Sequence, residues 1–159
     1  MTNPKEVSFG SEARSKPPYL SAIDVVTGQH REIQKLFQKL DSAVTPEETT
    51  RALEQLSARL VYFTNIEERH LFPAVHSQGG EKGRLYIAEA MDDHDIIRQD
   101  IENLRATTPA SERWLRLVTQ LKENTQHHIE EENSGLLPLA EQLLSEESLL
   151  QLGTKMLEE

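Results

Sequence analysis

Apolar residues recur along the chain at alternating steps of three and four, the spacing of one helix face. Ile23, Val26, His30, Ile33, Phe37 and Leu40 make the first such seam. Leu53, Leu56, Leu60, Phe63, Glu67, His70 and Ala74 make the second. The third runs through Ile87, Ala90, His94, Ile97, Ile101 and Leu104, with Leu85 and Met91 alongside. The fourth runs through Trp114, Val118, Leu121, Thr125, His128, Glu132, Gly135 and Leu139. Breaks separate the seams at 42–45, at Gly79–Gly80 and at 107–111. Thr45-Pro46-Glu47-Glu48 reads as a helix start: Thr45 caps, Pro46 suits the first turn and Glu48 closes a capping box. Pro73 and Pro138 are expected to kink, bend or end their helices. A short amphipathic stretch, 148–157, follows, and no period-2 alternation persists anywhere. The prediction is an all-α fold: an antiparallel up-down-up-down four-helix bundle over 19–159, with a short C-terminal helix. Residues 1–18, rich in Ser, Lys, Glu and Pro, read as a polar arm.

Composition narrows the chemistry. The 159 residues suit one domain. A net charge of −10 argues against nucleic acid and against an anionic membrane surface. No apolar run resembles a secretory leader or a membrane span, so the cytoplasm is the expected compartment. The absence of cysteine removes disulfides, thiolate metal sites and cysteine nucleophiles. Any metal must therefore be held by imidazole and carboxylate, which makes the six histidines the informative residues.

Antiparallel neighbours equidistant from their turn lie side by side. The pairs His30/Glu67, Glu67/His94 and His94/His128 have midpoints near 48, 80–81 and 111, close to the predicted breaks. The polar residues that interrupt the four seams thus share one depth. A lone seam histidine is ordinarily a hydrogen-bonded core residue, and runs such as Glu67-Glu68 and Glu130-Glu131-Glu132 are ordinarily solvated. Four helices spoiled at one level are harder to explain that way, because a buried unpaired carboxylate costs several kcal/mol and normally pairs or binds a metal. His30, Glu67, His70, His94, His128 and Glu132 are the candidate ligands. Six such side chains suit two ions better than one, with iron first and zinc or manganese as alternatives. His76 and His127 fall off the seams and read as surface residues or outer partners.

The segments DVVTGQHREIQKLF, EERHLFPAV, DDHDIIRQDIENL and HHIEEENSGLLPLA, in this order, resemble the hemerythrin-like (HHE cation-binding) domain family. The two half-motifs echo each other, with Glu67 six residues before Pro73 and Glu132 six before Pro138. The resemblance implies a bundle holding two iron ions, oxo- or hydroxo-bridged, with ligands at His30, Glu67, His94, His128 and Glu132. The family half-motif reads His-x-x-x-Glu. His128 and Glu132 obey it, whereas Phe63 stands where the first histidine belongs. His70, one turn past Glu67, is the expected replacement. Its counterpart Gly135 leaves room for a side chain from across the core, and Tyr62 is a lesser candidate. A ferritin-like site is disfavoured by the single Glu-x-x-His.

The expected function is handling or sensing of dioxygen, nitric oxide, peroxide or iron. No acid–base pair stands outside the ligand set to argue for turnover. The alternative is a degenerate single-metal or metal-free bundle serving as an interaction or regulatory module. The expected partner is a diatomic molecule or peroxide, with no nucleic acid and no membrane. The apolar tail also offers a surface for a partner or a second copy.

Overall fold

The computed structural model describes residues 20–159; the proposed polar arm lies outside them. Among the described residues the regular structure is entirely helical. Helix α1 (Ala22–Asp41) leads to α2 (Pro46–Ile66), a π-helical turn (Glu67–Leu71) and α3 (Phe72–Gln78). Then come α4 (Gly80–Arg105), α5 (Glu112–Glu131), a second π turn (Glu132–Leu136), α6 (Leu137–Leu143) and α7 (Glu146–Leu157). With α3 continuing α2 and α6 continuing α5, four rods run up and down. No described helix is long and apolar enough to cross a membrane.

Local chemistry sets the boundaries. Ser21 caps α1 in a capping box with Asp24, and Thr45 caps α2 in the box expected with Glu48. Ser111 accepts from the Trp114 amide to open α5. Gly79 closes α3, and Gly80 turns the chain at φ 58°, a conformation open to glycine.

Pro73 does not end its rod, and helix continues through both Pro73 and Pro138. A proline lacks the N–H for the helical ladder, and its ring crowds the carbonyl four residues back. Just before each proline the helix widens: the Phe72 amide reaches back to Glu67 O and the Leu137 amide to Glu132 O, five residues rather than four. The π turn absorbs the misfit, as such bulges do where they appear inside α-helices.

The core has two apolar clusters. One gathers Leu53, Leu56, Leu60, Ile97, Ile101, Leu104 and Leu121 toward the α1–α2 and α4–α5 turns. The other gathers Val26, Leu71, Val75, Leu136, Ala140 and Met156 toward the opposite end. His30, Glu67, His94, His128 and Glu132 are buried where the two clusters meet, whereas Ser57, Asp100 and Thr125 are buried within the first. Leu85, read as flanking the third seam, is 60 % exposed. The C-terminal helix uses its apolar face within the chain: Leu149 and Met156 are buried, and Gly153 packs against the backbone at the start of α1.

Candidate metal centre

Glu67, His94, His128 and Glu132 are all buried and bring one ligand atom each to within 4.8 Å of one another. Helix α4 supplies His94 and α5 supplies His128. Glu67 and Glu132 are the first residues of the two π turns, one helical turn past Phe63 and His128 respectively. His94 Nε2 lies 3.0 Å from His128 Nε2 and 3.1 Å from Glu67 Oε2. His128 Nε2 is 2.5 Å from Glu132 Oε1, and His30 Nε2 is 3.6 Å from the same oxygen. Neither of the last two contacts is a hydrogen bond. Both Glu132 oxygens and His30 Nε2 are buried without a hydrogen-bond partner.

Two carboxylates off the seams orient the imidazoles. His94 Nδ1 lies 2.8 Å from Glu68 Oε1, which Arg98 also holds at 2.7 Å. Donation from Nδ1 to Glu68 leaves the Nε2 lone pair facing the cluster. His128 Nδ1 lies 3.5 Å from Asp93 Oδ2, and Phe72 stacks on the His94 ring with centroids 5.1 Å apart. Carboxylates behind ligating imidazoles fix ring orientation and raise basicity.

The electrostatics fit a site built for positive charge. Burial works against a charged His128. The Glu132 charge and the contacts to Asp93, Glu132 and Glu67 outweigh it, so His128 titrates well above its usual range. Burial likewise opposes ionisation of Glu132, but the charge and closeness of His128, with His30 behind it, hold this carboxyl well below the usual range. The residues present therefore fit a cation: an imidazole–carboxylate donor set suited to iron, manganese or zinc, with buried ligand atoms that lack a hydrogen-bond partner.

Of the six residues read from the sequence, four meet in this cluster and His30 stands beside it. His70 is not brought there. Its Nε2 lies 2.9 Å from Glu159 Oε1, and Arg69 engages the other oxygen of that carboxylate. The neighbouring His70 side chain, with burial opposing, holds Glu159 below its ordinary range. Tyr62 also turns to this end, donating its hydroxyl to the Glu159 carbonyl at 2.5 Å. Gly135 does leave space for a side chain across the core: a Cβ there would stand 2.5 Å from Tyr86 Cε1. His76 is exposed, and His127 reaches only Asp93, at 3.9 Å. Glu68 and Asp93 escaped the sequence reading. Their one signal is position: each adjoins a seam ligand, Glu67 or His94.

A helical bundle whose buried middle layer is made of imidazoles and carboxylates is the architecture of cation-binding bundles. A family model for the hemerythrin HHE cation binding domain matches residues 21–140, and the chain belongs to that family. It is similar to the crystal structure of a hemerythrin HHE cation binding domain-containing protein from Mycobacterium kansasii, with TM-score 0.77, 23 % identity, and coverage of 87 % of this chain and 84 % of that one. A hemerythrin-like protein of Schizosaccharomyces pombe is 24 % identical over 131 residues, 82 % of this chain and 64 % of that protein. A Nostoc protein named as a DNA nickase is 26 % identical over 132 residues, 83 % of this chain and 37 % of that protein. The chain thus spans less than two thirds of the length of either of these two relatives.

Proposed function

We propose that this protein is a non-haem iron protein that handles or senses dioxygen, nitric oxide or peroxide at the buried layer between its two apolar clusters. The observation that carries the reading is the convergence of two imidazoles and two carboxylates, with both oxygens of Glu132 buried and without a hydrogen-bond partner. Glu67, His94, His128 and Glu132 would hold the metal. Iron bound there supplies one-electron chemistry and exchangeable coordination positions. Glu68 and Asp93 keep the imidazole lone pairs aimed inward, and the apolar clusters on either side limit access of water. The lack of thiolate, and carboxylates on two facing rods that can each bridge, favour iron over zinc. Iron content in freshly purified protein, set against zinc and manganese, tests this. Iron is expected to dominate and to give the ferric protein a near-ultraviolet band, and both are lost in Glu132→Ala. Zinc or manganese in place of iron, or unchanged metal content in Glu132→Ala, refutes it.

A further inference from the structure

The centre is built from two halves that repeat. Phe63 precedes Glu67 by four residues and His128 precedes Glu132 by four; each glutamate opens a π turn, and each turn is followed by a proline. On the preceding rod of each half stands a histidine behind a polar neighbour: Gln29-His30 in the first, Asp93-His94 in the second. The second half is complete. Its His94 and His128 place their Nε2 atoms 3.0 Å apart, and Asp93 stands 3.5 Å behind His128 Nδ1.

The first half lacks one imidazole and keeps its support. Phe63, the counterpart of His128, is 3 % exposed and offers no ligand atom. Gln29, the counterpart of Asp93, is 7 % exposed, and its Oε1 is buried with no hydrogen-bond partner. Gln29 and Phe63 line the same groove of about 240 Å³ between α1, α2 and α7. A buried amide oxygen without a donor costs free energy. The repeat identifies the donor it lacks as the Nδ1–H of an imidazole at position 63. His30 Nε2 likewise has no hydrogen-bond partner. The nearby His70 makes no substitute, because Glu159 holds it.

We infer that the centre takes two cations unequally: a tight one between His94, His128, Glu67 and Glu132, and a weak one on the His30 side, where Phe63 replaces an imidazole that Gln29 is still placed to orient. The inference rests on the metal-binding reading above. Removing an outer partner of a ligand typically lowers metal affinity ~10–100-fold, so loss of a whole ligand separates the two steps by at least ~100-fold.

Anaerobic titration of the chelator-stripped protein with iron(II), followed by gel filtration and metal analysis, tests it. The wild type is expected to retain one equivalent and to take a second only weakly. Phe63→His is expected to retain two, and adding Gln29→Leu to that variant weakens its second step ~10–100-fold. In the wild-type background, His30→Ala should abolish the weak step and still retain the tight equivalent, a result that does not depend on how Phe63→His folds. Two equally tight equivalents in the wild type, one equivalent in a folded Phe63→His, or equal loss of both steps in His30→Ala overturns the unequal centre while leaving metal binding intact. No retained metal at all overturns both readings.

Discussion

Glu68 is the residue whose role the geometry defines most narrowly, so its replacement makes a sharp test. It sits on the first π turn, its side chain 23 % exposed, and binds His94 Nδ1 at 2.8 Å and Arg98 at 2.7 Å. Glu68→Gln keeps an oxygen that can accept from Nδ1–H but removes the negative charge behind the ring. Glu68→Ala removes the acceptor as well, leaving a donor on a fully buried ring without a partner. Loss of an outer partner lowers metal affinity ~10–100-fold, equivalent to about 1.4–2.7 kcal/mol. The partial exposure and the retained acceptor put Glu68→Gln near the lower bound; the orphaned Nδ1–H puts Glu68→Ala near the upper. Asp95→Ala is the control. Asp95 touches the same Arg98 at 3.4 Å but is 73 % exposed, and an exposed ion pair of this kind contributes ~0–1 kcal/mol. Competition for metal against a chromophoric chelator at fixed pH measures all three. The reasoning fails if Glu68→Ala binds within about twofold of wild type, or no more weakly than Glu68→Gln.

Three further outcomes follow from the same structure. A cation that binds only the folded chain should stabilise it by ~2.7 kcal/mol at a free concentration 100-fold above its Kd, raising the Tm by about 5–10 °C for a chain of this size, so identical melting curves with and without chelator would contradict the site. In the metal-free protein, the raised His128 pKa contributes stability that is complete below 6.5 and lost as pH rises through its native value, while the depressed Glu132 pKa contributes stability present above 4.5 and lost as pH falls; urea midpoints should therefore peak between 4.5 and 6.5 and fall on the alkaline side, and His128→Gln should remove that fall. Gly153→Ala would place a Cβ 2.0 Å from Leu20 O and 2.7 Å from Ser21 C, and overpacking against backbone should outweigh the gain in helix propensity, for a net loss of ~1–2 kcal/mol; Gly28→Ala, with nothing within 4 Å, should gain ~0.5–1 kcal/mol, and denaturant melts of the two would refute the packing account if both moved the same way.

Much of this architecture is legible in the chain because helices encode their own buried face. The 3-4 seams give the rods, and the Thr45–Glu48 box and Gly79–Gly80 give the turns. Equidistance from those turns places Glu67, His94, His128 and Glu132 at one depth. What periodicity does not carry is contact between sequence-distant segments. His70 sits on the right seam, but the end of α7 returns to its side and Glu159 engages it from 89 residues away. Nor does periodicity register the π turns. A proline inside a helical pattern reads as a kink, and only the backbone reveals that one wider turn relieves it at both places. Glu68 and Asp93 look like surface acids, because each lies about 100° around its helix from a seam ligand, too close to the site to be surface and too far to join the seam.

The two π turns and the buried polar layer are best understood together. Each turn begins at a glutamate of the cluster, and each widens the helix immediately before a proline. A regular α-helix would keep Glu67 and Glu132 in strict register with the apolar residues that follow. The wider turn adds one residue and resets the seam, so that Val75 and Ala140, eight residues past the two glutamates, are fully buried in the second apolar cluster while the glutamates stay in the polar layer. The same layer interrupts what would otherwise be one continuous apolar core and leaves buried atoms of Glu132 and His30 unsatisfied. An apolar replacement of comparable volume would stabilise the metal-free bundle and destroy the site. The fold thus carries a local weakness at the depth where all four rods contribute, and a cation offsets it by satisfying the same atoms whose burial is otherwise unfavourable.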